Sequence, residues 1–92
     1  MAVTFLYTAA ALKDLKEWKK QHNFEVLNTI KAIQEEIAKD PASLEGKFTP
    51  EKLKYDFSGW YSRRITKADR FVYRISSEDP EVVEVIQCKG HY

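Results

Sequence analysis

Apolar residues in this chain first alternate, then recur at every third or fourth position, then alternate again. Val3-Thr4-Phe5-Leu6-Tyr7 is rich in β-branched and aromatic residues and predicts a first strand. Thr8 suits the cap of a helix over residues 9–21, where Ala11, Leu12, Leu15 and Trp18 form one apolar stripe. His22 and Asn23 interrupt the pattern, and Asn23 is a good N-cap. A second helix follows over residues 24–39, with Val26, Ile30, Ile33 and Ile37 as its stripe and Leu27 alongside. Pro41 stops it, because the residue before a proline disfavours helical geometry. The short turn between the helices makes them an antiparallel hairpin, with His22 as a surface turn residue.

Residues 41–49 lack a period and read as loop. Beyond them the period becomes two. Leu53, Tyr55 and Phe57 alternate with Lys54 and Asp56, which predicts a short strand, and Ser58-Gly59 is turn chemistry. Residues 60–66 and 70–76 predict two further strands joined by Lys67-Ala68-Asp69. A turn over 77–80 leads to a last strand over 82–89. The order β-α-α-β-β-β(-β) predicts an α+β fold: a two-helix hairpin on one face of a mostly antiparallel, twisted sheet. Ninety-two residues without repeat or linker make a single domain, residues 1–92.

Charge sharpens this picture. The formal net charge is only +1, but residues 47–74 carry eight bases against three acids (Glu51, Asp56 and Asp69), a local excess of +5. Aromatic rings lie between these charges. Guanidinium and ammonium groups bind phosphate and rings stack on bases, so the band suits a nucleic-acid surface, whereas the plain alternative is a solvated face. The single cysteine, Cys88, allows no intramolecular disulfide and sits in an alternating apolar run, as a small buried hydrophobe does. No signal peptide or membrane span is evident, so a cytoplasmic protein is expected.

A three-residue connection at 67–69 would pair Thr66 with Arg70, Arg64 with Val72 and Ser62 with Arg74. Alternation then puts Arg64, Arg70 and Arg74 on one open face, without matching acids. Phe71, Tyr73 and Ile75 fall on the other face, under the helices, with Arg63 and Ile65 on that side of the neighbouring strand. Glu51 and His91 are the evident proton-transfer candidates that could join the arginines.

Several segments together resemble RelE-superfamily toxins of the YoeB/Txe branch. They are Glu45-Gly46-Lys47, Pro50-Glu51-Lys52-Leu53-Lys54, Ser58-Gly59-Trp60-Tyr61-Ser62-Arg63-Arg64-Ile65-Thr66, Arg70-Phe71-Val72-Tyr73 and the closing His91-Tyr92. The resemblance covers nearly the whole chain and implies a RelE/ParE-like fold and the toxin of a bacterial type II toxin–antitoxin system. The implied activity is ribosome-dependent cleavage of mRNA in the A site. The implied partners are a cognate antitoxin, the 70S ribosome with its mRNA, and a second copy of the chain in a homodimer. By position, Glu51 matches the general base, Arg70 the transition-state arginine, His91 the general acid and Tyr92 the terminal tyrosine. Lys54 and Arg64 match residues that hold RNA, and Arg63 and Arg74 of the same band are expected to add to them. Three departures stand out: Lys52 where a proline often follows the glutamate, Asp69 where a histidine often precedes the arginine, and Trp60-Tyr61 for Phe-Trp. Asp69 is expected to weaken phosphate binding beside Arg70.

This chemistry requires no metal or other cofactor, because RNA supplies its own 2′-hydroxyl nucleophile. The sequence contains no His/Cys/Asp cluster with metal-ligand spacing. Two alternatives remain at this stage: a non-enzymatic ParE-like toxin acting on a protein such as gyrase, and a plain RNA-binding module. Glu51 together with His91-Tyr92 speaks against the first.

Overall fold

The computed structural model describes residues 2–91. Strand β1 (Thr4–Tyr7) leads into helix α1 (Ala9–Lys20) and helix α2 (Phe24–Lys39). Then come β2 (Glu51–Lys52), a single 3-10 turn (Tyr55–Phe57), β3 (Tyr61–Arg64), β4 (Arg70–Ile75) and β5 (Val82–Gln87). The helices begin where their caps are: the Thr8 hydroxyl accepts from the Ala11 amide, and the Asn23 side chain accepts from the Val26 amide. His22, at φ 54°, takes the left-handed conformation that reverses the chain between them.

The five strands form one sheet in the order β1-β5-β4-β3-β2. β1 runs parallel to β5, and the other neighbours are antiparallel. Both helices cover the same face. Ala11 and Trp18 of α1 and Val26, Ile30, Ile33 and Ile37 of α2 pack with Phe71, Tyr73, Val83 and Val85 of the sheet. The Tyr7 hydroxyl bonds Gln34, tying α2 to the edge strand. Burial of this apolar face drives the packing at roughly 25 cal/mol per Å² of apolar surface removed from water.

Two local expectations are corrected. The alternation Leu53/Tyr55/Phe57 does not form a strand. Tyr55 has φ 59°, which no extended strand accepts, and the chain turns through bonds from the Phe57 amide to the Lys54 carbonyl and from the Ser58 amide to the Tyr55 carbonyl. The strand lies earlier, at Glu51–Lys52, paired with Ser62 and Tyr61. The β3–β4 register also differs by two residues: Arg64 pairs with Arg70, Ser62 with Val72 and Tyr61 with Tyr73. The connection is longer than three residues because Thr66 and Asp69 close it with their side chains. The Thr66 hydroxyl donates to the Asp69 carboxylate at 2.5 Å and accepts from the Ala68 amide at 3.1 Å. An even shift leaves every side chain on its expected face. Among the described residues, no helix is long and apolar enough to cross a membrane.

Candidate active site

Directly paired residues share a face of the sheet, as do residues two apart on one strand. Glu51 pairs with Ser62, Ser62 with Val72, and Val72 with Gln87. Arg64 and Arg70, two residues along, pair with each other on the same face. Glu51 and Arg70 therefore project from the side of the sheet opposite the helices, two strands apart. That is about 10 Å laterally, with an offset of about 7 Å along the strand, a span that two long side chains can close around a phosphate. Glu51, Lys54, Arg64 and His91 are exposed, and Arg70 is partly buried.

The Arg70 guanidinium is aimed by its own turn. Its Nη1 donates to the carbonyls of Thr66 at 3.1 Å, Asp69 at 3.3 Å and Lys67 at 3.4 Å. On its other flank the Arg70 amide donates to the Gly90 carbonyl at 3.0 Å. That carbonyl also accepts from Gln87 Nε2 at 2.8 Å, and the Gly90 amide donates to Asp69 Oδ1 at 2.7 Å. Gly90 has φ 83°, a conformation glycine adopts without strain. The segment that carries His91 is thus fastened beside the first residue of β4. Tyr92, the remaining member of the expected catalytic set, lies outside the described residues.

Farther back, α1 holds the same segment through Cys88. The Cys88 amide donates to Asp14 Oδ2 at 3.0 Å, its carbonyl accepts from Trp18 Nε1 at 2.8 Å, and its thiol donates to the Ala11 carbonyl at 3.5 Å. Residues 11, 14 and 18 lie on one face of a helix. Burial, helped by Asp14, pushes the thiol pKa up to about 12, so Cys88 is a neutral packing residue at physiological pH. Burial likewise raises the Tyr7 and Tyr73 hydroxyls above their ordinary value.

Lys54 stands beside Glu51 at a shallow hollow of about 270 Å³, lined by Glu51, Lys52, Leu53, Lys54 and Tyr55. Tyr55 is 92% exposed, an aromatic side chain with neither packing nor burial to account for it. The strand reading passed over it, because an alternating position there looked like core.

Of the four expected RNA-binding residues, Arg63 is placed differently from expectation, and Arg74 keeps its expected face but is paired. Arg63 is fully buried on the helix side. Its guanidinium meets Glu36 Oε2 at 2.6 Å, the Tyr73 hydroxyl at 3.0 Å, and the carbonyls of Ser43 at 3.0 Å and Glu45 at 3.2 Å. It is a structural cation that holds the 43–47 loop to α2 and β4, and no RNA phosphate can reach it. Arg74 is exposed but does have a matching acid. It pairs with Glu84, directly across on β5, at 2.8 Å and lies 4.5 Å over the Trp60 ring. Among the described residues, no group of three His, Cys, Asp or Glu side chains could hold a metal ion.

A family model described as a YoeB-like toxin of bacterial type II toxin–antitoxin systems matches residues 7–92. The chain is 39% identical to a protein named Toxin YoeB from Synechocystis sp. over 75 residues, 82% of this chain and 81% of that one. Its fold superimposes on the YoeB dimer from Staphylococcus aureus with a TM-score of 0.85 and 32% identity, covering 100% of both chains. The toxin in the heterotetrameric YoeB–YefM toxin–antitoxin complex from the same organism superimposes with a TM-score of 0.83 and 30% identity, again over 100% of both chains.

Proposed function

The chain belongs to the family of YoeB-like toxins of bacterial type II toxin–antitoxin systems, and on that premise we propose that it is a ribosome-dependent endoribonuclease that cuts mRNA in the A site. The observation that carries this reading is the arrangement around Arg70, which lies between Arg64 on one side and the Gly90 backbone on the other, on the face that also bears Glu51. A carboxylate, an arginine and a histidine-bearing segment on one open, basic face match what phosphodiester transesterification needs.

In this mechanism Glu51 removes the proton of the 2′-hydroxyl, and the 2′-oxygen attacks the adjacent phosphorus. Arg70 offsets the negative charge that gathers on the phosphorane oxygens. The bond from phosphorus to the 5′-oxygen breaks, and His91 gives that oxygen its proton. The products are a 2′,3′-cyclic phosphate and a 5′-hydroxyl. Lys54 and Arg64 hold the RNA backbone, with Arg74 at the margin, and Tyr92 joins the catalytic set on the strength of the resemblance alone.

The partners follow from the same reading. An acidic antitoxin segment covers the basic band at rest, as its charge excess favours. The chain pairs with a second copy of itself and acts in the cytoplasm, where ribosomes are.

The test is a translation reaction with the purified chain, with mRNA ends mapped by primer extension. New ends within A-site codons, dependent on ribosomes and bearing a 5′-hydroxyl, are expected. Intact mRNA would overturn the proposal. Intact mRNA with arrested DNA supercoiling would point to gyrase instead.

A further inference from the structure

Asp69 stands beside Arg70, where an acid is expected to repel phosphate. Its carboxylate nonetheless makes no ion pair with Arg70 among the described residues. Both oxygens are engaged elsewhere. Oδ1 accepts from the Gly90 amide at 2.7 Å and Oδ2 from the Thr66 hydroxyl at 2.5 Å. The next residue completes a two-point contact, since the Arg70 amide donates to the Gly90 carbonyl at 3.0 Å. Residues 69 and 70 thus take both backbone groups of Gly90, and the residue after Gly90 is His91.

Resting on the function proposed above, the geometry points to Asp69 as a positioning residue: it clasps Gly90 so that His91 is delivered next to Arg70. A carboxylate that accepts a backbone amide forms a charge-assisted hydrogen bond, stronger than a neutral one. The second oxygen, tied to Thr66, fixes the carboxylate's rotamer and links the clasp to the turn that aims Arg70. The general acid and the phosphate-binding arginine are therefore set by one short segment, residues 66–70, and move together. The other holds on the tail, Gln87 to the Gly90 carbonyl and α1 to Cys88 and Lys89, leave the Gly90 amide to Asp69.

The experiment compares Asp69→Ala and Asp69→Asn in the full chain, each alone and combined with His91→Gln. Asparagine keeps an acceptor oxygen for the Gly90 amide while losing the charge. Asp69→Ala is expected to lower kcat about a hundredfold with KM nearly unchanged, the size of loss that a misplaced catalytic group causes. Asp69→Asn should recover most of that loss. In the His91→Gln background, Asp69→Ala should cost far less than it does alone, because the larger part of its effect runs through His91. Exchange of the Gly90 amide proton, read by NMR on the purified chain, should speed up in Asp69→Ala and stay slow in Asp69→Asn. Equal losses in the alanine and asparagine variants, an additive double variant, or a Gly90 amide that exchanges as slowly in Asp69→Ala as in the parent would each overturn the clasp. If the parent chain cleaves no mRNA, the function above falls, and the Gly90 amide alone then decides whether Asp69 holds the tail.

Discussion

The Gly90 carbonyl accepts a hydrogen bond from the Arg70 amide at 3.0 Å. This bond carries β-ladder pairing past the end of β5 and brings the segment that bears His91 to the strand that bears Arg70. Arg70 gains Arg64 as its cross-strand neighbour on the other side. Like charges on directly paired residues repel unless an anion offsets them, which supports the phosphate-binding role proposed for this end of the sheet.

His91 is exposed. His91→Gln should therefore abolish cleavage, by about 10²- to 10⁴-fold, while leaving the melting temperature close to that of the parent. Primer extension on a translated mRNA, paired with a thermal melt, checks both halves. A folded variant cutting at the parent rate would remove His91 from the mechanism.

Lys54 and Arg64 are exposed, and among the described residues neither side chain makes an ion pair. Replacing either by alanine should weaken RNA engagement rather than chemistry. Cleavage should recover at high ribosome concentration, and the dependence of binding on salt should fall by about one unit of slope for each. Arg63→Ala should instead show its effect in stability, since its guanidinium is buried.

Glu36 accepts from buried Arg63 at 2.6 Å and from the Lys47 amide at 2.9 Å. Glu36→Ala leaves the Arg63 charge buried without its partner and should cost about 3–5 kcal/mol in urea unfolding. Gly46→Ala should destabilise the same loop, because the new Cβ would fall 2.4 Å from the Glu36 carboxyl carbon and the residue has φ 135°. Neither change should shift which codons are cut.

The Cys88 thiol has its pKa raised from an ordinary 9.0 to about 12 by burial and by Asp14. An acid whose folded pKa is raised contributes stability that is complete below its unfolded pKa and is lost as pH rises toward the folded value. Urea midpoints should fall as pH rises above 9.0, and the fall should be shallower in Cys88→Ala, with Tyr7 and Tyr73 supplying the remainder. The native thiol should also resist alkylation at pH 8 until the chain is unfolded.

Local rules in the sequence were sufficient for a large part of this protein. Spacing of three and four residues with Asn23 as cap set α2 at Phe24–Lys39, because helix periodicity and capping are properties of neighbours in the chain. Alternation put Arg64 and Arg70 on the face away from the helices even though the register was misjudged by two residues, since an even shift preserves faces. What only the tertiary structure decided involves residues far apart in sequence. Arg63 meets Glu36 across 27 residues, Asp69 meets Gly90 across 21, and Asp14 meets Cys88 across 74. No periodicity encodes such pairs. Each depends on which strand lies beside which, and on a buried charge or backbone amide finding a partner once water is excluded. Hence a basic residue in a basic band proved to be a buried structural cation, and an acid that looked hostile to phosphate is the group that fastens the histidine-bearing tail in place.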